Sequence, residues 1–229
     1  MKTLIIIPAY NESENIERVV NNIQNNFPQY DYVIINDGSR DNTTEICKKN
    51  NYNLIDLPVN LGLAGAFQTG MKYAFKKGYD AAIQFDGDGQ HRPEYIESMV
   101  KTMEDEKMDI VIGSRFVSKK KGLSPRMLGS RVISFLILLT TGKRVKDPTS
   151  GMRLYGKIVL EEFANKINYG PEPDTITYLL NRGCKIKEVQ VEMDERIAGT
   201  SYLNFIGSIR YMIKMCTSII FVQWFKKRS

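Results

Sequence analysis

Short apolar runs alternate with amphipathic segments through residues 3–114, and this alternation constrains the fold more than any other feature. The runs have the length of strands, and the segments between them repeat apolar residues at helical spacing. Strands are predicted at Thr3–Pro8, Tyr32–Ile35, Tyr52–Leu57, Ala81–Phe85 and Ile110–Ser114, and helices at Glu14–Asn26, Asp41–Lys49, Leu63–Lys77 and Pro93–Glu106. Strands joined by helices pair in parallel, because each helix returns the chain to the starting edge of the sheet. The sequence therefore predicts an α/β fold with a mostly parallel central sheet flanked by helices.

The basic residues are concentrated in two acid-free regions. The net charge is +6, and the stretch from Arg115 to Lys146 contains nine basic residues and no acid. No acid follows Glu195 either, whereas six basic residues do. Such regions predict an anionic partner, either a nucleic acid, a phospholipid or a phosphorylated substrate. Three cysteines without C-x-x-C spacing argue against a disulfide framework and favour a reducing, cytoplasmic compartment.

The strand predicted at Ala81–Phe85 ends in an acidic turn formed by Asp86, Gly87, Asp88, Gly89 and Gln90. In open α/β sheets the carboxyl ends of strands form the edge where ligands bind. Two carboxylates and an amide oxygen at that edge are hard donors that suit Mg²⁺ or Mn²⁺. An ordinary acidic turn is the alternative, and a calcium loop is set aside because its sixth position is His91 instead of glycine. His91 is the only histidine and is expected to order this turn.

Polar residues also follow the first two predicted strands. Tyr10 and Glu12 come after the first strand, and Asp37 comes after the second, where it could accept hydrogen bonds from a base or a ribose. Taken singly, these loops are better interpreted as helix caps, formed by Asn11, Ser39 or Asp41. The third loop, around Gly65, lacks the G-x-G-x-x-G motif of a dinucleotide-binding fold. It is more simply interpreted as the start of a helix packed close to the sheet, and a contact with a ligand is the alternative.

Seven motifs appear in order along the chain: IIIPAYNE, NDGS, NLGLAGAFQTG, DGDGQH, GSRF, DPTSGMRLY and, at residues 196–201, RIAGTS. Together they resemble the family 2 glycosyltransferases with the GT-A fold, and within them the polyprenyl-phosphate hexosyltransferases of the dolichol-phosphate mannose synthase type. The resemblance covers roughly residues 3–202. Two positions depart from the family pattern: Asn36 replaces a second Asp, and Tyr202 replaces the lysine after G-x-S.

The resemblance implies a GT-A nucleotide-diphospho-sugar transferase fold and a role for each motif. It implies that the nucleotide is held by Pro8, Ala9, Tyr10, Glu12, Asp37, Gly65, Asp86 and Gly87. It implies that Mg²⁺ or Mn²⁺ and the donor pyrophosphate are held by Asp86, Asp88 and Gln90. It also implies that phosphate groups or the acceptor are met by Arg115, Arg153, Arg196 and Ser201. The partners would be a nucleotide-diphosphate sugar and a lipid phosphate.

The expected reaction is an inverting, metal-dependent transfer through an oxocarbenium-like state. A polyprenyl phosphate is already anionic and needs no general base, whereas a hydroxyl of a lipid-linked polysaccharide intermediate would need one. Glu172 and Asp174 are the acids near the expected acceptor edge, and Asp174 is the first candidate for a base. Two other functions agree less well with the sequence. A sugar-nucleotide pyrophosphorylase would need a Gly- and Arg-rich phosphate loop after the first strand, and this sequence lacks one there. A nucleic-acid-binding protein would leave the acidic turn unexplained.

Two charge-free runs in the second half, Val132–Gly142 and Met215–Phe225, are too short to span a bilayer. Basic residues flank both runs, and the second contains Trp224, which is typical of a helix lying in a membrane interface. A core helix or a dimer interface is the alternative for each run. The expected organisation is a catalytic domain over residues 1–201 and an amphipathic membrane-associating helix over residues 202–229. The protein would then be cytoplasmic and peripheral on an anionic inner membrane face.

Overall fold

The computed structural model of the chain describes residues 1–122, 124–167, 169–194 and 205–222. Within these residues the strands are β1 (Thr3–Ala9), β2 (Asp31–Asn36), β3 (Leu54–Asp56), β4 (Ala81–Gln84), β5 (Ile110–Ser114), β6 (Arg153–Gly156) and β7 (Ile186–Gln190). The helices are α1 (Ile16–Asn26), α2 (Thr43–Lys49), α3 (Gly62–Lys76), α4 (Tyr95–Glu106), α5 (Pro125–Thr141), α6 (Lys157–Asn165), α7 (Pro173–Asn181) and α8 (Phe205–Thr217). A π-helical turn, Ser218–Val222, continues α8.

The strands form one sheet in the order β3-β2-β1-β4-β6-β5-β7. Only β6 among these strands runs antiparallel to its neighbours, so the predicted mostly parallel sheet is confirmed. The strand order reverses at β1, which lies between β2 and β4. A crevice opens outside the carboxyl ends of strands at such a reversal point, and ligands bind there in open α/β sheets. The acidic turn follows β4, and it therefore lies at this crevice.

The predicted elements are present, but three helices begin two residues later than expected. The helices α1, α2 and α4 start at Ile16, Thr43 and Tyr95. For α2 the reason is a turn ahead of the helix, because the carboxylate of Asp41, which precedes the N-cap Asn42, accepts the backbone N–H of Thr43 at 3.0 Å. Burial alone would raise the pKa of Asp41, but hydrogen bonds from Thr43 and Ser13 outweigh burial and lower it.

Apolar residues of the sheet are buried on both faces. In β1, Ile5 and Ile7 pack with α1 and α4, whereas Leu4 and Ile6 pack on the opposite side with α3 and the later helices. This alternation follows from the two-residue period of a strand. It explains why β1 is a continuous apolar run instead of an alternating one.

The last helix, α8, packs against α5. Met215 and Ile219 are buried in the main core, whereas Ile213 and Phe221 are exposed. The C-terminal helix was predicted to be amphipathic and to lie at a membrane. Its described part has some apolar residues in the core and others exposed. No helix among the described residues is both long and apolar enough to cross a bilayer.

Candidate active site

The acidic turn after β4 is held by its own histidine. The backbone N–H of Asp86 donates to Nδ1 of His91 at 2.9 Å, so Nδ1 is an acceptor and the neutral ring carries its proton on Nε2. That Nε2 lies 3.5 Å from Oδ2 of Asp86. His91 is 5% exposed and its backbone bridges to Met193. The expectation that His91 orders this turn is confirmed.

The two carboxylates of the turn differ in exposure. The side chain of Asp86 is 35% exposed, whereas Asp88 is buried and its Oδ1 accepts the backbone N–H of Gln90 at 3.0 Å. Gly87 lies so close to the end of β1 that a Cβ there would stand 3.2 Å from the carbonyl oxygen of Pro8. The turn is thus packed against the loop after β1, and Asp86 is its open carboxylate.

The loops after β1 and β2 are hydrogen-bonded to each other. Asn11 adopts a positive φ of 57°, its N–H donates to the Ser39 hydroxyl, and its side-chain oxygen accepts the N–H of Arg40. Asn11 therefore joins two loops, and the prediction that it caps α1 is wrong. The Glu12 carboxylate accepts from the Asn15 side chain at 2.8 Å. These bonds fix the segment that contains Tyr10 and Glu12 beside the segment that follows Asp37.

Asp37 is 3% exposed and ties β2 to the start of α3. Its Oδ1 accepts the backbone N–H of Leu61 at 2.7 Å, and its own N–H donates to the carbonyl of Ala9. Gly38 has a φ of +65°, and a Cβ there would stand 2.8 Å from the backbone of Val59. Asp37 thus has a structural role in addition to the nucleotide contact predicted for it.

On the other side of the crevice, Arg115 forms a two-pronged ion pair with Asp147. Nε and Nη2 of Arg115 donate to the two carboxylate oxygens at 2.8 and 2.9 Å, and its backbone N–H donates as well. The Asp147 side chain is fully buried, whereas that of Arg115 is 22% exposed. Burial alone would raise the pKa of Asp147, but the hydrogen bonds and charge of Arg115 lower it.

Arg153 holds two loops together. It is 1% exposed, and its guanidinium donates to the backbone carbonyls of Pro148, Ser150, Pro171 and Glu172. Gly151 belongs to the first of these loops, and a Cβ there would stand 3.0 Å from Oδ2 of Asp86. These contacts give Arg153 a framework role, which brings the loop around Gly151 against the acidic turn.

The two acids near the expected acceptor edge are bound to the last helix and its π-helical continuation. Glu172 accepts the hydroxyl of Tyr211, and burial, followed by the Glu172 charge, raises the pKa of that tyrosine. Asp174 accepts the backbone N–H of Thr175 at 2.9 Å on Oδ1 and the hydroxyl of Ser218 at 2.6 Å on Oδ2. Sequence reasoning missed these links, because no local pattern in residues 205–222 specifies a partner on α7.

The comparisons with known proteins decide the family. Residues 4–163 match the model described as glycosyl transferase family 2. This chain belongs to glycosyl transferase family 2. It is 35% identical over 184 residues to the UDP-N-acetylglucosamine–dolichyl-phosphate N-acetylglucosaminyltransferase of Methanococcus voltae, covering 71% of this chain and 72% of that one. It is 27% identical to the polyprenol monophosphomannose synthase of Mycolicibacterium smegmatis, covering 89% and 81% of the two chains.

Solved structures agree with the predicted fold. Glucosyl-3-phosphoglycerate synthase from Mycobacterium tuberculosis superposes with a TM-score of 0.71 at 19% identity, covering 95% of this chain and 79% of that one. The same enzyme in complex with Mn²⁺, UDP and its product gives a TM-score of 0.69. The predicted glycosyltransferase fold and the predicted class of enzyme are both confirmed.

The acidic turn of this glycosyltransferase fits a hard divalent cation. It offers two carboxylates and one amide oxygen, and one carboxylate, that of Asp86, is open toward the crevice. The described residues contain no cluster of three or more His, Cys, Asp or Glu that could hold a metal. The rest of a coordination shell would therefore come from water and from phosphate oxygens, as is usual for Mg²⁺.

The structure brings most of the predicted site residues to one crevice. The turn at Asp86, the β1 loop and Asp37 meet on one side, and Arg115 lies on the other. Gly65 lies in the first turns of α3, where a Cβ would meet the side chain of Leu61. Arg196 and Ser201 lie outside the described residues, so their predicted roles stay predictions.

Proposed function

We propose that this family 2 glycosyltransferase moves a hexose from a UDP- or GDP-sugar to a polyprenyl phosphate, with inversion and with Mg²⁺ or Mn²⁺. The observation that carries the donor half is the placement of Asp86 and Asp88 at the carboxyl end of β4, packed against the β1 loop. The names of the two relatives, which specify dolichyl-phosphate and polyprenol, support a lipid phosphate as the acceptor.

On the donor side, the nucleotide would lie across the carboxyl ends of β1 and β2. Pro8, Ala9, Tyr10 and Glu12 would line it from β1 and its loop, and Asp37 would accept hydrogen bonds through the oxygen that Leu61 does not use. The diphosphate would contact the backbone at Gly87, where the absence of a Cβ lets the turn pack against the carbonyl oxygen of Pro8. A divalent cation held by Asp86, Asp88 and Gln90 would neutralise the charge of the leaving diphosphate.

On the acceptor side, an oxygen of the lipid phosphate attacks the anomeric carbon, forming one C–O bond while the bond to the nucleoside diphosphate breaks. Arg115 is oriented by Asp147 and would face that phosphate. Arg196 and Ser201 are proposed to assist it. No proton has to be removed, because the phosphate oxygen is already anionic.

The environment of Asp174 also supports a phosphate acceptor. Both of its oxygens accept hydrogen bonds, one from Thr175 and one from Ser218. These two hydrogen bonds engage both oxygens of the carboxylate and hold it against α7 and the π-helical turn, which gives Asp174 a structural role. A hydroxyl acceptor would require a base at this position, so the hydrogen bonds favour the acceptor that needs none.

The proposed organisation is a catalytic domain over residues 1–201 followed by a membrane-associating segment over residues 202–229. The enzyme would act at the inner face of the cell membrane, where its lipid substrate would be presented. Assembly as a homo-oligomer would be compatible with the same chemistry.

The test is a panel of UDP- and GDP-sugars incubated with the enzyme and Mg²⁺ or Mn²⁺, with release of nucleoside diphosphate as the readout. Each donor is assayed with undecaprenyl phosphate, with a soluble sugar acceptor and with neither. The expected result is release that is stimulated by the lipid phosphate and abolished by a chelator. Release stimulated only by the sugar acceptor, or full activity in excess chelator, would overturn the proposal.

A further inference from the structure

One face of α5 is apolar, exposed and without a partner among the described residues. We call it the α5 stripe, and it consists of Leu128, Val132, Phe135, Leu138 and Leu139. The spacing of these residues, three or four apart, places them on one side of the helix. Phe135 is 62% exposed and Leu139 is 69% exposed, whereas Ile133 and Ile137 on the opposite face are fully buried. The helix therefore has its core contact on one side and a second apolar face outside.

The neighbouring helix and the turn that follows it also expose apolar side chains. α8 packs against α5, and its Ile213 is 60% exposed. Phe221, in the π-helical turn that continues α8, is 59% exposed. Large contiguous apolar patches are rare on proteins that remain monomeric in water, and they mark sites of interaction.

A basic cavity of about 630 Å³ adjoins the α5 stripe, and Phe135 and Leu138 belong to its lining. Its other lining residues include six basic side chains and no acid: Lys119, Lys120, Lys121, Arg131, Arg144 and Lys146. Arg131 also lies on the stripe side of α5, one turn before Phe135. An apolar face bordered by cations is complementary to the surface of an anionic lipid leaflet, which offers apolar chains beneath phosphate groups.

A second copy of the chain would fit this face poorly. A two-fold interface brings the same patch of both subunits together. The basic border of one copy would then face the basic border of the other, and like charges at close range oppose association.

We propose that the α5 stripe docks onto the surface of an anionic bilayer, with its apolar side chains entering the headgroup boundary and its basic border meeting lipid phosphates. The inference rests on the proposed function, since a lipid-linked acceptor would be reached from that surface. It assigns the principal membrane contact to α5, whereas the sequence favoured the terminal segment.

The test is flotation of the full-length protein with vesicles of phosphatidylcholine and phosphatidylglycerol in about equal parts, and with vesicles of phosphatidylcholine alone. Donor and acceptor are absent, so the result does not depend on catalysis. The variant Val132→Gln/Phe135→Gln/Leu139→Gln replaces three of the five apolar side chains of the stripe, and glutamine suits an exposed helix position. Ile158→Gln, at a 67% exposed apolar position on α6, is the matched control. Thermal unfolding and nucleoside-diphosphate binding verify that each variant is folded.

The expected result is that the wild type binds the anionic vesicles, and that the triple variant binds them at least about tenfold more weakly while Ile158→Gln binds normally. Lys120→Gln/Arg144→Gln should also weaken binding to the anionic vesicles, whereas Lys49→Gln/Lys101→Gln, which changes two exposed lysines elsewhere, should not. Equal binding by the triple variant, or equal binding to both vesicle types, would overturn the proposal. A wild-type dimer that the triple variant dissociates, without a loss of vesicle binding, would make the stripe an interface between copies.

Discussion

The two sides of the crevice are built differently. The half proposed to bind the donor, called the donor half, consists of β1, β2, β4 and the loops that follow them, and its strands run parallel. The half proposed to bind the acceptor, called the acceptor half, consists of β5, β6, β7 and the helices α5, α7 and α8, and it contains the antiparallel β6. In the donor half most candidate residues lie at the carboxyl end of a strand or in the loop that follows it, and Gly65 in α3 is an exception. In the acceptor half, the candidate residues are positioned by buried ion pairs and by contacts between helices.

This difference predicts how each half responds to substitution. Donor residues such as Asp86 reach the crevice from a short turn, so a conservative change there should alter chemistry and leave the fold intact. Acceptor residues such as Asp147 and Tyr211 are bonded within the framework, so a change there should alter stability as well.

The largest effect is expected for Asp88→Asn. A neutral amide lacks the negative charge with which a carboxylate attracts Mg²⁺, but its oxygen can still accept the N–H of Gln90, so the turn should persist. Transfer activity should fall by about a hundredfold or more, with little change in thermal stability. Asp105→Asn, at an exposed position on α4, is the control and should retain activity. Transfer activity of Asp88→Asn equal to that of the wild type would contradict the proposed role of Asp88 in metal binding.

The next effect separates two roles of Asp37. Asp37→Asn keeps an oxygen for the N–H of Leu61 but loses the charge, whereas Asp37→Ala loses both. If the carboxylate binds the nucleotide, both variants should weaken nucleoside-diphosphate binding by about 1.5–3 kcal/mol, and only Asp37→Ala should lower the unfolding free energy. Calorimetric binding and thermal unfolding on the same samples measure the two effects. Unchanged affinity in Asp37→Asn would leave this residue with its structural role alone.

A smaller effect is expected on the acceptor side for Tyr211→Phe. The change removes the hydroxyl that donates to Glu172, a hydrogen bond to a charged group of about 1.5–3 kcal/mol, part of which water replaces. Denaturant unfolding should show a lower stability, while nucleoside-diphosphate affinity should not change. Tyr95→Phe, on α4, is the control and should alter neither quantity. A loss of nucleotide affinity in Tyr211→Phe would mean that the two halves are not separable in this way.

The smallest effect is the acid dependence contributed by Asp147. Its pKa in the folded protein lies below 3.8, the value of an unperturbed aspartate. Its ionised form therefore contributes stability that is complete at neutral pH and is lost as the pH falls through 3.8 and the folded pKa. Wild-type stability should decrease more steeply over that range than that of Asp147→Asn, although the variant is less stable at neutral pH. Parallel slopes in urea titrations would contradict this account.

The sequence was a good guide to the donor half because its geometry follows from strand order. The apolar runs predicted β1, β2 and β4, and the carboxyl edge of parallel strands brought Asp37 and Asp86 together. The cap assigned to Asn11 was wrong, because that residue uses its side chain to reach Arg40 in the neighbouring loop. A local pattern cannot distinguish a helix cap from a bond between two loops.

The acceptor half could be predicted only in part. Its motifs were recognised, but the pairing of Arg115 with Asp147 and the four carbonyl contacts of Arg153 depend on tertiary packing. The exposed face of α5 could not be predicted either. Val132–Gly142 contains no charged residue, so its sequence does not show which side of the helix enters the core. The structure resolves this with buried Ile133 and exposed Phe135.

The central claim is that a phosphate, which needs no base, is the acceptor at this crevice. The most direct measurement is mass spectrometry of the lipid product formed from undecaprenyl phosphate by the wild type and by Asp174→Asn, using the donor that the panel identifies. Asn keeps the size of the side chain and can still bond Ser218 and Thr175. The account predicts that both proteins form the glycosyl phosphate lipid at rates within about threefold of each other. An inactive Asp174→Asn, together with a wild type that glycosylates a sugar hydroxyl and leaves the lipid phosphate unmodified, would contradict it.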